Sequence, residues 1–360
     1  DRVRQLTAMR ASRNLRYGIT PTDYTARCAN LYEERGYRIA MSKSWNLGDM
    51  PSQAGRRFLI TGANSGIGFW TAVELARHGA VVVMACRDEM RGRESLKLLR
   101  AEATGNGSAA GEAELVLLDL ASLDSVRRVA EAELERNTSL HGLINNAGVM
   151  STPKRRETVD GFELQFGTNV LGHFALTCRL MRALELGRSA SISEASRVVT
   201  VSSIAHKRGR LNFDDLQAVK GYQPMEAYAQ SKLGNLMFSF ELEHRLRAAG
   251  MGSVSIAVHP GVAQTSLFKV GSSTGLAGMA EKVLQWGIGA TLNSTVGGAV
   301  PTLFAATAKE ALGGGYYGPQ GLNEMRGGDV GLAEVAPQAK DREAQRRLWE
   351  VCSELTGVGI

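Results

Sequence analysis

At 360 residues, with 44% hydrophobic and 22% charged side chains, the chain has enough apolar material to bury a sizeable core, which excludes a disordered polymer. Its net charge of +6 is uneven, because residues 1–40 hold eight Arg against Asp1, Asp23, Glu33 and Glu34, a local +4, and leave only +2 for the rest. The body of the chain shows no clustering of Lys and Arg, which argues against a nucleic-acid partner.

Residues 1–50 read as an N-terminal extension ahead of the regular pattern. The Arg-rich leader, with Ser and Thr among the arginines, has some features of an organelle transit segment (plastid or mitochondrion). It also contains acids and an aromatic patch around Tyr32 to Tyr37, and the stretch from Met41 reads equally well as a natural start. Cys28, Cys86, Cys178 and Cys352 lie far apart, without C-x-x-C spacing or a Cys/His cluster, so no metal site is expected. Reduced thiols, no bilayer-length apolar run and no secretory signal together predict a cytoplasmic protein without a transmembrane segment.

From residue 51 to about 330 strand and helix patterns alternate. "RFLIT" (57–61) ends in a Gly-rich turn and is followed by a helix over Gly66 to His78. "AVVVMAC" (80–86) has no polar break, the pattern of a strand buried on both faces. Further strands are expected at 113–120, 141–148, 197–203 and 253–261, each separated by a helical stretch, with surface loops at 103–113 and 187–196. The alternation predicts an α/β protein: a three-layer, doubly wound Rossmann fold with a central parallel sheet. "GGYYGPQG" reads as a last edge strand, and residues 331–360 as a tail whose amphipathic helix closes the site or packs on the sheet.

The first strand-to-helix turn is "TGANSGIG", Thr61 to Gly68. Its glycines allow a tight turn and close approach of a pyrophosphate, which then lies at a helix N-terminus, where free N–H groups and the dipole favour an anion. A Gly-rich match counts for more here because a strand precedes it and a helix follows. At the end of the second strand Arg87 offers a fork of donors suited to a ribose 2′-phosphate, which favours NADP(H) over NAD(H); Asp88 beside it could pair with Arg87 or bias the site toward NAD.

These residues resemble the classical short-chain dehydrogenase/reductase family over roughly residues 55–320. "TGANSGIG" supplies Gly62, Asn64, Ser65, Gly66, Ile67 and Gly68; "LDL" supplies Asp119 and Leu120 for the adenine; "NNAG" supplies Asn146, Ala147 and Gly148. "GTNVLGHF" then gives Asn169, "VSSIAH" Ser203, "YAQSK" Tyr228 and Lys232, and "HPGVAQTSL" Pro260, Gly261 and Thr265. "ACRD", "HPGV" and the 25-residue separation of Ser203 and Tyr228 are closest to retinol dehydrogenase-like and WW-domain oxidoreductase-like members. Light-dependent protochlorophyllide reductases also look similar, but they carry a cysteine where this chain has Val262. The resemblance implies two-fold packing of the helices bearing Asn169 and Tyr228, as a homodimer or homotetramer.

Reduction of a carbonyl by a nicotinamide needs a hydride donor, a proton donor and a group that polarises the oxygen. Tyr228 suits proton transfer if its pKa falls, and Lys232 one helical turn on, with the oxidised nicotinamide, supplies the charge expected to lower it. Ser203 at a strand end can orient the substrate oxygen, and by resemblance Asn169 anchors a water that links Lys232 to solvent. His173 and His206 lie near these segments but have no acid at triad-like spacing, so a structural role is expected. Residues 262–293, with Leu267, Phe268, Leu276, Met279, Leu284 and Trp286, read as an apolar lid. That predicts a small lipophilic carbonyl or alcohol substrate: a retinoid, a steroid or a fatty or aromatic aldehyde. The other class of function open to this fold is a non-catalytic dinucleotide sensor or scaffold, against which the complete Ser203/Tyr228/Lys232/Asn169 set stands.

Overall fold

The β-branched runs become the strands of one sheet. In a computed structural model, residues 45–104, 111–150, 152–187, 195–262 and 294–360 are described, all within the compact unit Met41–Ile360. The strands are β1 (Arg57–Thr61), β2 (Val81–Cys86), β3 (Ala113–Leu117), β4 (Gly142–Asn145), β5 (Arg197–Val201), β6 (Val254–Val258), β7 (Tyr316–Gly321) and β8 (Arg326–Leu332). They lie in the order β3-β2-β1-β4-β5-β6-β7-β8. Every pairing is parallel except the last, β7 with β8. The connectivity reverses direction between β1 and β4, and such a switch point opens a crevice at the carboxyl ends of the strands.

The helices are α1 (Gly66–Arg77), α2 (Glu89–Thr104), α3 (Leu123–Glu135), α4 (Gly172–Leu186), α5 (Pro224–Ala248), α6 (Thr295–Thr307) and α7 (Arg342–Thr356). α1 packs against α6, α3 against α4, and α5 against β5 and β6, so helical layers cover the sheet as expected. The core is apolar and tightly filled: Phe58, Ile60, Met84, Ile144, Val199 and Ile256 from the strands are buried with Phe304 of α6 and Trp45, whose rings meet edge to face at 5.5 Å. Among the described residues no helix is long and apolar enough to cross a membrane.

Three features depart from the sequence reading. The strand in "GGYYGPQG" is not the edge, because β8 pairs antiparallel outside it. β8 reads "RGGDVGL", too rich in Gly to signal a strand, and it is delivered by a turn in which Leu322, Asn323 and Glu324 all take positive φ. The terminal helix α7 packs on helices and not on the sheet. Trp349 lies 4.8 Å from the Phe174 ring of α4 and stacks at 5.9 Å on Phe238 of α5, with the Arg245 guanidinium 4.6 Å over the indole. The third departure is a π-helical turn, Gly167–Leu171, leading into α4, so Asn169 sits on a widened turn and not in a regular helix.

Candidate active site

β1 ends at Thr61, and the backbone turns left-handed at Gly62 (φ +66°) and again at Gly66 (φ +57°) before α1 begins. A Cβ on Gly68 would stand 2.4 Å from Asn146 Nδ2 and 2.6 Å from the Gly62 carbonyl oxygen, and one on Gly62 3.0 Å from Ala147. The turn is thus pressed against the segment that follows β4. Thr61 fastens the two: its hydroxyl accepts from the N–H groups of Asn146 and Ala147, each at 2.9 Å, while Asn146 Nδ2 donates back to the Thr61 carbonyl at 2.8 Å. This is why β4 stops at Asn145, short of the predicted run. At the head of α1 the N-cap Ser65 makes no side-chain capping bond, so first-turn N–H groups stay open to an anion. A cradle that a Cβ would fill, at an open helix N-terminus, fits a dinucleotide pyrophosphate.

The strand ends on either side supply less. Arg87 is exposed and makes no ion pair among the described residues. Asp88 accepts from the Arg91 N–H at 3.0 Å and so caps α2. Asp119 accepts from Ala121 N at 3.0 Å in the turn after β3, and Leu120 is buried, its carbonyl where a Cβ on Gly172 would fall. Cys86, buried at the end of β2, takes hydrogen bonds from the Ala63 and Asn64 N–H groups, and burial pushes its thiol up to about 11. Thr265 and nearly all of the expected lid lie outside the described residues.

Downstream of β4 the chain passes Gly148, where a Cβ would sit 3.3 Å from Asn169 Oδ1 and 3.6 Å from Lys232 Nζ. Asn169 is fully buried and clasps Val149 in both directions: Oδ1 accepts from Val149 N at 2.8 Å, and Nδ2 donates to Val149 O at 2.9 Å. Nδ2 also reaches Ser231 Oγ on α5 at 2.9 Å. Next to Ser231, Lys232 donates from Nζ to the Val201 carbonyl at 3.0 Å, and burial pulls its ammonium down to about 8. The Lys232 ammonium stands 5.8 Å from the Tyr228 ring centroid. A hydrogen bond joins Tyr228 to Ser203 and favours the phenolate, but burial outweighs it and the phenol pKa is raised. The lowering expected from Lys232 with the oxidised nicotinamide is not produced by the side chains alone, since α5 sinks both groups into low dielectric where desolvation dominates.

Ser203 N-caps the 3-10 turn Ile204–Arg208, its Oγ accepting from Ala205 N at 3.2 Å. His206 in that turn donates from Nδ1 to the Ser203 carbonyl at 2.7 Å and accepts at Nε2 from Ala336 N at 3.3 Å. His173 acts similarly on the other side. Nδ1 donates to the Asn169 carbonyl at 2.9 Å, which leaves Nε2 to accept from the Thr61 hydroxyl at 2.9 Å. Burial holds His173 neutral, down to about 4. Both histidines brace backbone beside the site, as their lack of an acid partner suggests. The Pro260–Gly261 turn is braced as well: Gly261 has φ +71°, and Val262 N donates to the Met325 carbonyl at 2.8 Å.

The structure thus gathers Ser203, Tyr228, Lys232, Asn169 and Gly148 at the carboxyl ends of β4 and β5, beside the glycine turn. Sequence reasoning missed the side chain of Thr61, although it stands first in the glycine motif; a hydroxyl at the end of a buried strand, with no apolar partner to explain it, was the available signal.

The family model described as short chain dehydrogenase matches residues 56–274. Polyprenol dehydrogenase of Mus musculus is 41% identical over 311 residues, 86% of each chain. Retinol dehydrogenase 13 of Homo sapiens is 39% identical over 319 residues, 86% of this chain and 88% of its own. A crystal structure of a protein from Mycobacterium Paratuberculosis superposes with a TM-score of 0.68 at 38% identity, covering 88% of this chain and 98% of that one. An NADP active-site complex from Pseudomonas aeruginosa, at 24% identity and a TM-score of 0.55 over 74% of this chain and 94% of its own, shares the fold.

Proposed function

The chain belongs to the short-chain dehydrogenase/reductase family, whose hydride-transfer chemistry interconverts CH–OH and C=O, and we propose that its cofactor is NADP(H) and its substrate a lipophilic alcohol or carbonyl, with Tyr228 as the general acid/base. The observation that carries this reading is the burial of one phenol and one ammonium side by side, with Ser203 bonded to the phenol and Asn169 fixing the backbone beside the ammonium. Retinol and polyprenol, named in the relatives, are long apolar isoprenoid alcohols, and this supports the lipophilic class.

Gly62, Asn64, Ser65, Gly66, Ile67 and Gly68 would hold the pyrophosphate, and Arg87, exposed at the end of β2 and without an ion pair among the described residues, the 2′-phosphate. Asp119 and Leu120 would flank the adenine, with Asn146, Ala147, Gly148, Pro260, Gly261 and Thr265 toward the nicotinamide end. The bound dinucleotide supplies or accepts the hydride. Tyr228 gives the proton to the developing alkoxide during reduction and takes it during oxidation. Ser203 donates to the same oxygen and polarises it. Lys232 holds positive charge beside the phenol and so lowers the cost of the phenolate that burial alone raises. Asn169 keeps Val149, and with it the wall beside Lys232, in register.

Tyr228→Phe tests the assignment. NADPH oxidation with an aldehyde panel should fall by about 100- to 10,000-fold, the range for a general acid, with NADPH affinity within about twofold. Turnover equal to wild type would sink the proposed role of the phenol.

A further inference from the structure

Tyr228 follows Ser203 by 25 positions, and the second half of the intervening chain is stitched to the segment that leaves the catalytic amine. That segment runs from Gly148, against Lys232 Nζ, through the half-buried apolar Val149 and Met150 to Thr152. Asn169 holds its near end by the two-way bond to Val149. Its far end is held by Tyr222, whose hydroxyl donates to the Thr152 carbonyl at 3.0 Å and also meets the Thr152 hydroxyl.

Tyr222 is itself fixed by Gln165, which donates from Nε2 to the Tyr222 hydroxyl at 2.9 Å and to the Pro224 carbonyl at 3.0 Å. Gln165 lies four residues before Asn169, and both are fully buried, so two amides one helical turn apart hold Val149 directly and Thr152 through Tyr222. Pro224 is the first residue of α5, the helix of Tyr228 and Lys232. The remaining ties run the same way. Arg155 Nε donates to Gln217 O at 2.9 Å, Glu163 N to Gln217 Oε1 at 2.7 Å, and Gln230 of α5 binds Asn212 N and Leu216 O. None of these bonds belongs to the sheet or to a helix ladder. Those of Thr152 and Arg155 join the segment after Gly148 to the 209–223 stretch, and those of Glu163 and Gln230 hold that stretch against the head of the π turn and α5.

We infer that Tyr222, clamped by Gln165, is a positioning residue that sets the width of the substrate cleft and so selects for long apolar carbonyls over short ones. The inference rests on the lipophilic-substrate reading above. Tyr222 touches none of the proposed reacting groups; it acts through the backbone of Thr152. A long substrate feels that wall along its length, whereas a short aldehyde reaches Tyr228 and Ser203 without it.

Tyr222→Phe keeps the ring and removes the hydroxyl. Hydrogen exchange by mass spectrometry should show amides of 146–158 and 209–223 exchanging about fivefold faster or more, because two elements lose their common tie. The NADPH dissociation constant should stay within about twofold. With all-trans-retinal KM should rise about tenfold at nearly constant kcat, the signature of lost positioning, while kcat/KM for propanal stays unchanged. Unchanged exchange in both segments overturns the inference. So does an equal loss with both aldehydes accompanied by a lower Tm, which a merely structural role would give. If the wild-type protein turns over neither aldehyde, the substrate reading has failed, and the exchange rates still decide whether Tyr222 fixes the wall.

Discussion

Gly68→Ala tests how tightly the glycine turn is pressed against the segment after β4. The added Cβ would stand 2.4 Å from Asn146 Nδ2 and 2.6 Å from the Gly62 carbonyl oxygen, against ordinary contact at 3.4 Å and beyond. Asn146 can move only by giving up its 2.8 Å bond to the Thr61 carbonyl, worth about 1 kcal/mol net. The Gly62 carbonyl belongs to backbone already held at φ +66°. Overpacking of this kind costs about 1–3 kcal/mol, so the variant should lose roughly 2–4 kcal/mol in urea unfolding. Displacing the turn also moves the open N–H groups of α1, and NADPH affinity by fluorescence titration should drop about 10- to 100-fold. Gly221→Ala is the control, because nothing stands within 4 Å of a Cβ there. Wild-type stability and NADPH affinity in Gly68→Ala would refute both the steric reasoning and the placement of the pyrophosphate.

Arg87→Ala should weaken NADPH about tenfold or more while leaving NADH within about twofold, since one charge-assisted contact with phosphate is lost; an unchanged ratio of the two dissociation constants would remove the basis for NADP preference. Lys232 gives a pH signature in the apoprotein. Its ammonium titrates near 8 when folded against an ordinary 10.5, so between those values the unfolded chain binds more protons and stability rises with pH. Below pH 8 the burial cost is fully present, and above 10.5 it is gone. Lys232→Met should therefore exceed wild type in unfolding free energy by most near pH 7, on the order of 1–3 kcal/mol, and by progressively less up to about pH 10. A difference independent of pH would mean that Lys232 does not titrate in this window.

Much of this molecule was legible before any coordinates. β2 announces itself because six consecutive residues without a polar break suit a strand buried on both faces, and the glycine turn because each Gly has a steric duty at a strand-helix junction. The sequence reading went astray where a residue's role depends on what arrives from elsewhere in the chain. Thr61, Gln165 and Tyr222 are ordinary letters until β4, the π turn and the long insert bring their partners within 3 Å or so. The tuning of Tyr228 was legible only in part for the same reason. Spacing along a helix predicts that Lys232 lies near, but it contains nothing about how deeply α5 sinks into the core, and burial decides the sign. β8 was missed because its strand character comes from pairing with β7 and not from its own residues.

The Trp349 indole lodged between Phe174 and Phe238 has a consequence for the order in which the protein is made. A ribosome delivers the chain from the N-terminus, so the glycine turn and β1 to β6 are available long before residues 342–356. Yet the back of α5, the helix of Tyr228 and Lys232, stays uncovered until α7 arrives to fill it. A nascent chain arrested before residue 342 would therefore already hold the elements of the glycine-turn cradle while α5 was still unclamped. The cradle would be complete before the helix of Tyr228 and Lys232 is fixed, with α7 acting as the latch.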